Sequence, residues 1–348
     1  MKGLRKYLTP FAPDQSGAVS VLYDLGGIIV ICDAGGCTGN ICGFDEPRWF
    51  ETNSAVFSAG LRDMDAILGR DDKLVEKLVL AAEKIDANFA AIIGTPVPAT
   101  IGTDYRALKR LAERKTDLPI LTVETTGMNL YDFGAQHAFE TLMKTFAEEG
   151  AEKKEGRIGV LGTIPLDLAG NRPADRIREA LSKEGWKEIV LYGMGASMDD
   201  VKNAGSAEMN LVVSPAGLPA AEYLKKTFGT PFEVRCPLAK DLVPEMDYTG
   251  KKVLCIHQQV MANGIRDRVR ALGGEEVTVA TWFMRKPALA EEGDRFLVEE
   301  DEFEELVYQG NYDVILADRT LQPIVPQYQG QWIHAPHFAV SGKLGDDE

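Results

Sequence analysis

Cysteine is scarce in this chain: 5 in 348 residues, beside 4 histidines and 4 tryptophans. So few thiols do not make a disulfide framework, which excludes the small cross-linked secreted scaffolds. Basic residues are also in deficit. The 38 Lys and Arg against 53 Asp and Glu leave a net charge of -15, which argues against nucleic acid and against an anionic membrane surface as partners. Residues 26–31 form an apolar run far shorter than the ~20 residues a membrane-spanning helix needs. Lys2, Arg5 and Lys6 are followed by no apolar leader segment, so a cytoplasmic protein is expected. No Walker lysine, G-x-G-x-x-G, H-E-x-x-H or Ser-His-Asp pattern is present, which leaves P-loop ATP hydrolysis and the common hydrolase mechanisms without residues to carry them.

What is present is a repeated rhythm of short apolar runs and amphipathic segments. Strands are expected at 26–31, 89–94 and 119–123, with helices at 61–68, 73–85, 105–114 and 134–148 and a loop at 95–102. After a charged, glycine-bounded linker at 151–156 the rhythm restarts, with strands at 157–162, 188–192 and 210–214 and helices at 174–184 and 218–228. A second break at 242–250 leads to strands at 251–256, 276–281 and 312–317 and a helix at 264–272. The reading is an α/β protein of three consecutive Rossmann-like units, parallel sheets flanked by helices, divided as 1–150, 151–248 and 249–348. Ligands in such sheets sit at the carboxyl ends of strands.

Three of the five cysteines fall in one stretch: Cys32, Cys37 and Cys42, with four residues between each pair, among Gly35, Gly36, Gly39 and Gly43. The stretch reads as a buried strand breaking into a glycine-rich loop. Thiolates are the usual ligands of iron–sulfur clusters, and the glycines, Gly35, Gly36 and Gly39 first, allow close backbone approach to a cofactor. Zinc and a phosphate held on the glycine loop remain alternatives, and Cys32 also reads as a small core residue ending its strand. One chain is a thiol short of a four-thiolate set. Two loops meeting across a two-fold axis supply up to six, enough for one bridging 4Fe–4S cluster or something larger. Cys236 and Cys255 read as core residues.

The order of motifs resembles the nitrogenase component 1 superfamily. Its His-Gly-Pro-x-Gly-Cys has a counterpart in Cys32-Asp33-Ala34-Gly35-Gly36-Cys37. A following Ser-x-x-x-Glu-x-Asp-x-x-Phe-Gly-Gly is echoed from Ser58 through Asp63 to Gly69, and Ile-Gly-Asp-Asp by Ile101-Gly102-Thr103-Asp104. The resemblance implies an iron–sulfur cluster at a subunit interface. In nitrogenase each chain gives three cysteines to that cluster. Cys37 matches the first, while the second and third align near Val56 and Pro96, where no thiol stands. The cysteine that holds the catalytic cofactor would fall near Tyr192-Gly193-Met194, again without a thiol, and its histidine partner near His337, before Ser341-Gly342. A dinitrogen reductase is therefore not expected.

The expected function is an iron–sulfur reductase component with Cys37, Cys42 and Cys32 as metal ligands, partnered by a second copy or a paralogous subunit. A separate ATP-dependent iron–sulfur protein would supply its electrons. A non-catalytic scaffold or carrier of a cluster, and an α/β protein binding a phosphorylated small molecule, are the rivals. The stretch 45–49 is read as positioning a partner or as a solvated polar loop, residues 299–305 as a solvated helix face, and His257, His334 and His337 as satisfied histidines ahead of ligands.

Overall fold

A computed structural model describes residues 5–52, 54–62, 64–65, 71–337 and 339. The first sheet is built from β1 (Ile28–Ile31), β2 (Ala55–Ser58), β3 (Ala90–Ile93) and β4 (Ile120–Val123), in the order β2-β1-β3-β4. The second holds β5 (Lys154–Leu161), β6 (Glu188–Leu191), β7 (Ala207–Val212) and β8 (Phe232–Val234), in the order β6-β5-β7-β8. The third holds β9 (Lys252–Ile256), β10 (Glu276–Thr281), β11 (Arg295–Phe296), β12 (Val314–Ala317) and β13 (Gln331–His334), in the order β11-β10-β9-β12-β13. Every pairing within these sheets is parallel, for example Ile28 beside Ala90 and Val253 beside Val314. Three α/β units follow one another as the alternation of apolar runs and helices requires.

The units share one apolar core. It runs from Leu22, Ile29 and Phe139 through Leu161, Tyr192 and Leu224 to Leu254, Trp282 and Ile315. At its centre the helix Asp14–Leu22, buried along its whole length, crosses the helix Tyr131–Phe146. The crossing is close enough that a Cβ on Gly17 would stand 1.8 Å from the carbonyl oxygen of Tyr131, and one on Gly134 1.7 Å from that of Asp14.

Several expectations are corrected. The helix Asp14–Leu22 is not among the expected elements: it has no solvent side and therefore carries no amphipathic period. The charged linker is partly strand: β5 starts at Lys154 and its first residues are exposed, so charge there marks a solvated strand end. The loop expected at 95–102 holds the helix Pro96–Ile101, with proline at its first position and Gly102 ending it at φ +71°. At Ala55–Ser58, where no strand is expected, lies the edge strand β2, and beyond Ala317 a further strand, β13, closes the third sheet. Of the helix expected at 61–68, Met64 and Asp65 are helical, and residues 63 and 66–68 lie outside the described set, as do Gly69 and Ser341-Gly342. The acidic segment is not uniformly solvated either. Glu300 is buried, and its carboxylate accepts the backbone N–H groups of Lys6, Tyr7 and Leu8 at 2.9, 3.2 and 2.8 Å.

Candidate functional site

In the first sheet the chain leaves β1 toward β2 on one side and β3 lies on the other, so the strand order reverses between β1 and β3. The crevice outside the carboxyl ends at such a reversal is where open α/β sheets hold ligands. Cys32 stands at this point. Its N–H donates to Ile93 O (2.9 Å) and its carbonyl accepts from Thr95 Oγ1 (2.6 Å). Its side chain is 2% exposed and belongs to the core beneath, with Val30, Ala59 and Leu74.

The glycine-rich loop is largely a helix, which corrects the sequence reading. Gly35 makes the turn at φ +123°, and the chain then winds as an α-helix over Gly36–Asn40 that widens into a π-helix over Ile41–Asp45. Asp33 explains why. Its carboxylate accepts Thr38 N (2.8 Å) and Thr38 Oγ1 (3.0 Å), holding one of the donors a helix start leaves unpaired, and Ser58 Oγ donates to it at 2.5 Å. In a regular α-helix Cys37 and Cys42 would diverge by about 140°. The wider turn, in which Glu46 N donates to Ile41 O at 2.9 Å, carries Cys42, and π-turns recur at functional sites.

Cys37 and Cys42 are half-buried beside the main core. Burial first, then Glu46 and Asp33, push the Cys42 thiol up to about 11, and burial and Asp33 raise Cys37 as well. Both are protonated at neutral pH in the free chain, and a metal ion takes the place of that proton when it binds. Among the described residues, no three of His, Cys, Asp and Glu gather to hold a metal within one chain.

The glycines separate into two kinds. Gly35 serves its own chain's turn. Gly36, Gly39 and Gly43 have no left-handed φ, and a Cβ on any of them would meet nothing within 4 Å; among the described residues they are the only glycines with neither reason to be glycine. Each costs a helix about 1 kcal/mol relative to alanine.

The far end of this helix is clamped, so the solvated-loop reading of 45–49 fails there. Asp45, Glu46 and Arg48 are buried. Ser16 Oγ donates to Asp45 at 2.6 Å and Ser20 Oγ to Glu46 at 3.0 Å, tying the cysteine helix to Asp14–Leu22. Arg48 donates to both Glu46 oxygens and to Asp24, each at 2.7 Å, and to the carbonyls of Ser20 (2.6 Å) and Gly193 (2.9 Å). A Cβ on Gly193 would lie 2.0 Å from Thr163 O, so the position near which the resemblance would put a cofactor thiol has no room for a side chain.

His257 and His337 do come together, with residues the sequence did not single out. Their rings stack at 3.9 Å, Tyr131 OH donates to Asp167 at 2.8 Å, and His337 Nε2 lies 3.0 Å from that hydroxyl and 3.2 Å from Asp167. Tyr131, Asp167, His257 and His337 are all buried where the three units meet. Gln258 N donates to His257 Nδ1, and burial, then His337, hold that ring far below its usual value, so it is neutral. Phe283 packs edge-on against His337 at 4.7 Å. His334 accepts Arg319 N on the last strand. Cys236 and Cys255 are buried in a separate apolar cluster with Leu211, Val253 and Ile265.

Beside this cluster burial raises Asp132 to about 7, against hydrogen bonds from Met284 N and Phe133 N, with Asp167 pushing it further up. Its folded value exceeds the unfolded one, so its contribution is full below about pH 4 and is lost as pH rises through 7. His257, neutral when folded, acts in the opposite sense below its ordinary value. The expected result is a difference: wild type loses a few kcal/mol of stability relative to Asp132→Asn between pH 4 and 8, read from urea midpoints across that range. A constant gap contradicts the assignment.

The sequence model of the family described as Nitrogenase component 1 type Oxidoreductase matches residues 15–239. The chain is 27% identical over 179 residues to the nitrogenase iron-molybdenum cofactor biosynthesis protein NifE of Clostridium pasteurianum, covering 51% of this chain and 38% of that protein. It is 24% identical over 231 residues to the B subunit of the light-independent protochlorophyllide reductase of Nostoc punctiforme, covering 62% and 44%. It thus spans about two-fifths of the length of these curated relatives. A solved structure described as Nitrogenase Cp1 at pH 6.5 shares the fold, with a TM-score of 0.72 at 13% identity over 99% of this chain and 91% of that one. With three parallel α/β units and the family's sequence pattern across the first two, this chain belongs to the nitrogenase component 1 type oxidoreductases.

Proposed function

We propose that this chain is the cluster-bearing component of a reductase, in which Cys37 and Cys42 from each of two chains hold one iron–sulfur cluster of 4Fe–4S size or larger between them. The second chain is another copy or a paralogue, a separate ATP-dependent iron–sulfur protein delivers the electrons, and the setting is cytoplasmic. The observation that carries this reading is the open glycine face of the cysteine helix: Gly36, Gly39 and Gly43 leave space that none of the described residues uses, beside two thiols with which no third metal-binding group gathers among those residues. When bound, the cluster stores and releases electrons singly. Asp33 at one end and Asp45, Glu46 and Arg48 at the other hold the ligand helix in place. The loops after β1, β2 and β3 each expose large apolar side chains, Phe44, Met64, and Val97 with Ile101, a surface suited to a second subunit. Cys32 keeps its place in the core in this reading. No helix among the described residues is long and apolar enough to cross a membrane.

Anaerobic purification tests this directly. The wild type is expected to be brown and to carry iron and acid-labile sulfide, and Cys37→Ala or Cys42→Ala to lose iron affinity about 10-fold or more, while Cys255→Ala keeps it. Colourless wild-type protein without iron sinks the proposal. One observation favours the carrier reading over the catalytic one: the junction of the three units is closed by Tyr131, Asp167, His257 and His337. Transfer of the intact cluster to an apoprotein, with no substrate-driven reoxidation, is the outcome that selects it.

A further inference from the structure

Beyond the cysteine helix, the loops following β4 and β10 face each other across a cleft of about 490 Å³, within the size range of small-molecule sites. Both loops leave the carboxyl ends of their strands. Met128, Phe133 and Phe296, 80%, 41% and 48% exposed, form its lips, and Trp282, Phe283 and Met284 its floor.

The walls are preformed. Asp14 accepts Thr126 N (3.0 Å) and Gly127 N (2.7 Å), fixing the turn that carries Met128. Phe296 is held by the pairing of β11 with Thr281. Trp282 and Phe283 are backed by Phe11 at 6.3 and 5.0 Å between ring centroids, and Trp282 by Phe303 at 5.4 Å. Such a slot favours a flat ring, which stacks on aromatic faces and contacts methionine sulfur. The charge at the rim is Arg285, exposed and without an acidic or hydrogen-bonding partner among the described residues, whereas neighbouring Lys286 is engaged by Gln136 at 2.6 Å. In a chain of net charge -15, an unpaired guanidinium beside an aromatic slot selects an anion of planar geometry.

We propose that this cleft binds an aromatic acid, a fused or extended ring system with a carboxylate or sulfonate that pairs with Arg285. The inference does not rest on the cluster. The probe is anilinonaphthalene sulfonate, titrated calorimetrically into the full chain, with energy transfer from tryptophan as a second readout. One site per chain is expected. Arg285→Gln should weaken the sulfonate about 10-fold, the worth of a charged hydrogen bond, and leave uncharged N-phenyl-1-naphthylamine unaffected. Phe296→Ala should weaken both probes, and Trp282→Phe should remove most of the energy transfer. Unchanged thermal midpoints for the exposed-site variants Arg285→Gln and Phe296→Ala exclude unfolding as the cause. Absence of saturable binding, equal affinity in Arg285→Gln, or undiminished transfer in Trp282→Phe overturns the proposal.

Discussion

Gly134→Ala is expected to abolish the folded protein. A methyl group there meets backbone, Asp14 O at 1.7 Å and Asp14 C at 2.5 Å, and backbone has no rotamer to escape into. The two central helices must separate, which opens the core the three units share. The expected loss is about 4 kcal/mol or more, a large part of the 5–15 kcal/mol typical of whole proteins. Insoluble expression or a lost thermal transition is the expected readout, and Gly17→Ala should behave alike, its methyl meeting Tyr131 O at 1.8 Å. Gly39→Ala is the contrast. Nothing lies within 4 Å of its Cβ, so the free chain should gain about 0.5–1 kcal/mol from the better helix former, while iron content falls because the methyl fills the space a cluster or second chain needs. A Gly134→Ala protein with a wild-type melt contradicts the packing argument; a Gly39→Ala protein with full iron contradicts the cluster argument alone.

Arg48→Met should be nearly as severe. It leaves Glu46, 2% exposed, as a buried carboxylate without its cation, and releases Asp24 and two carbonyls from the same guanidinium. Breaking such a pair from one side costs about 3–5 kcal/mol. The urea midpoint should fall accordingly, and Arg48→Lys should not restore it, because an ammonium cannot reproduce the fork that grips both Glu46 oxygens. Adding Glu46→Gln to Arg48→Met should recover part of the loss, since the penalty is the stranded charge more than the missing bond. A double variant no more stable than Arg48→Met alone removes that explanation.

The fold was legible wherever an element has two unlike faces or a bounded apolar run. The strand Glu276–Thr281 and the helix Leu218–Phe228 fall where the sequence puts them. Legibility failed where context overrides pattern. Asp14–Leu22 has no outer face, the start of β5 is charged because it is solvated, and the cysteine segment starts its helix where Asp33, across a glycine turn, takes the N–H of Thr38. At the site, the residue types of Cys37, Cys42, Gly36 and Gly39 were readable. What could not be read was that Gly43 belongs with them and Gly35 does not, since the distinction is one of backbone angle and empty space. Asp45, Glu46 and Arg48 looked like surface because charge is usually surface. Their burial as a mutually satisfied set becomes visible only once Ser16, Ser20 and Gly193 are beside them.

The grip of Glu300 on the backbone of Lys6 and Leu8 joins positions 294 and 292 residues apart. At about 5–20 residues per second on a ribosome, the segment around Lys6 waits roughly 15–60 s for the carboxylate that will hold it. The segment around Lys6 is thus secured only after Glu300 has been made. Until the third unit is made, the apolar side chains of the first two that it covers have no partner from it.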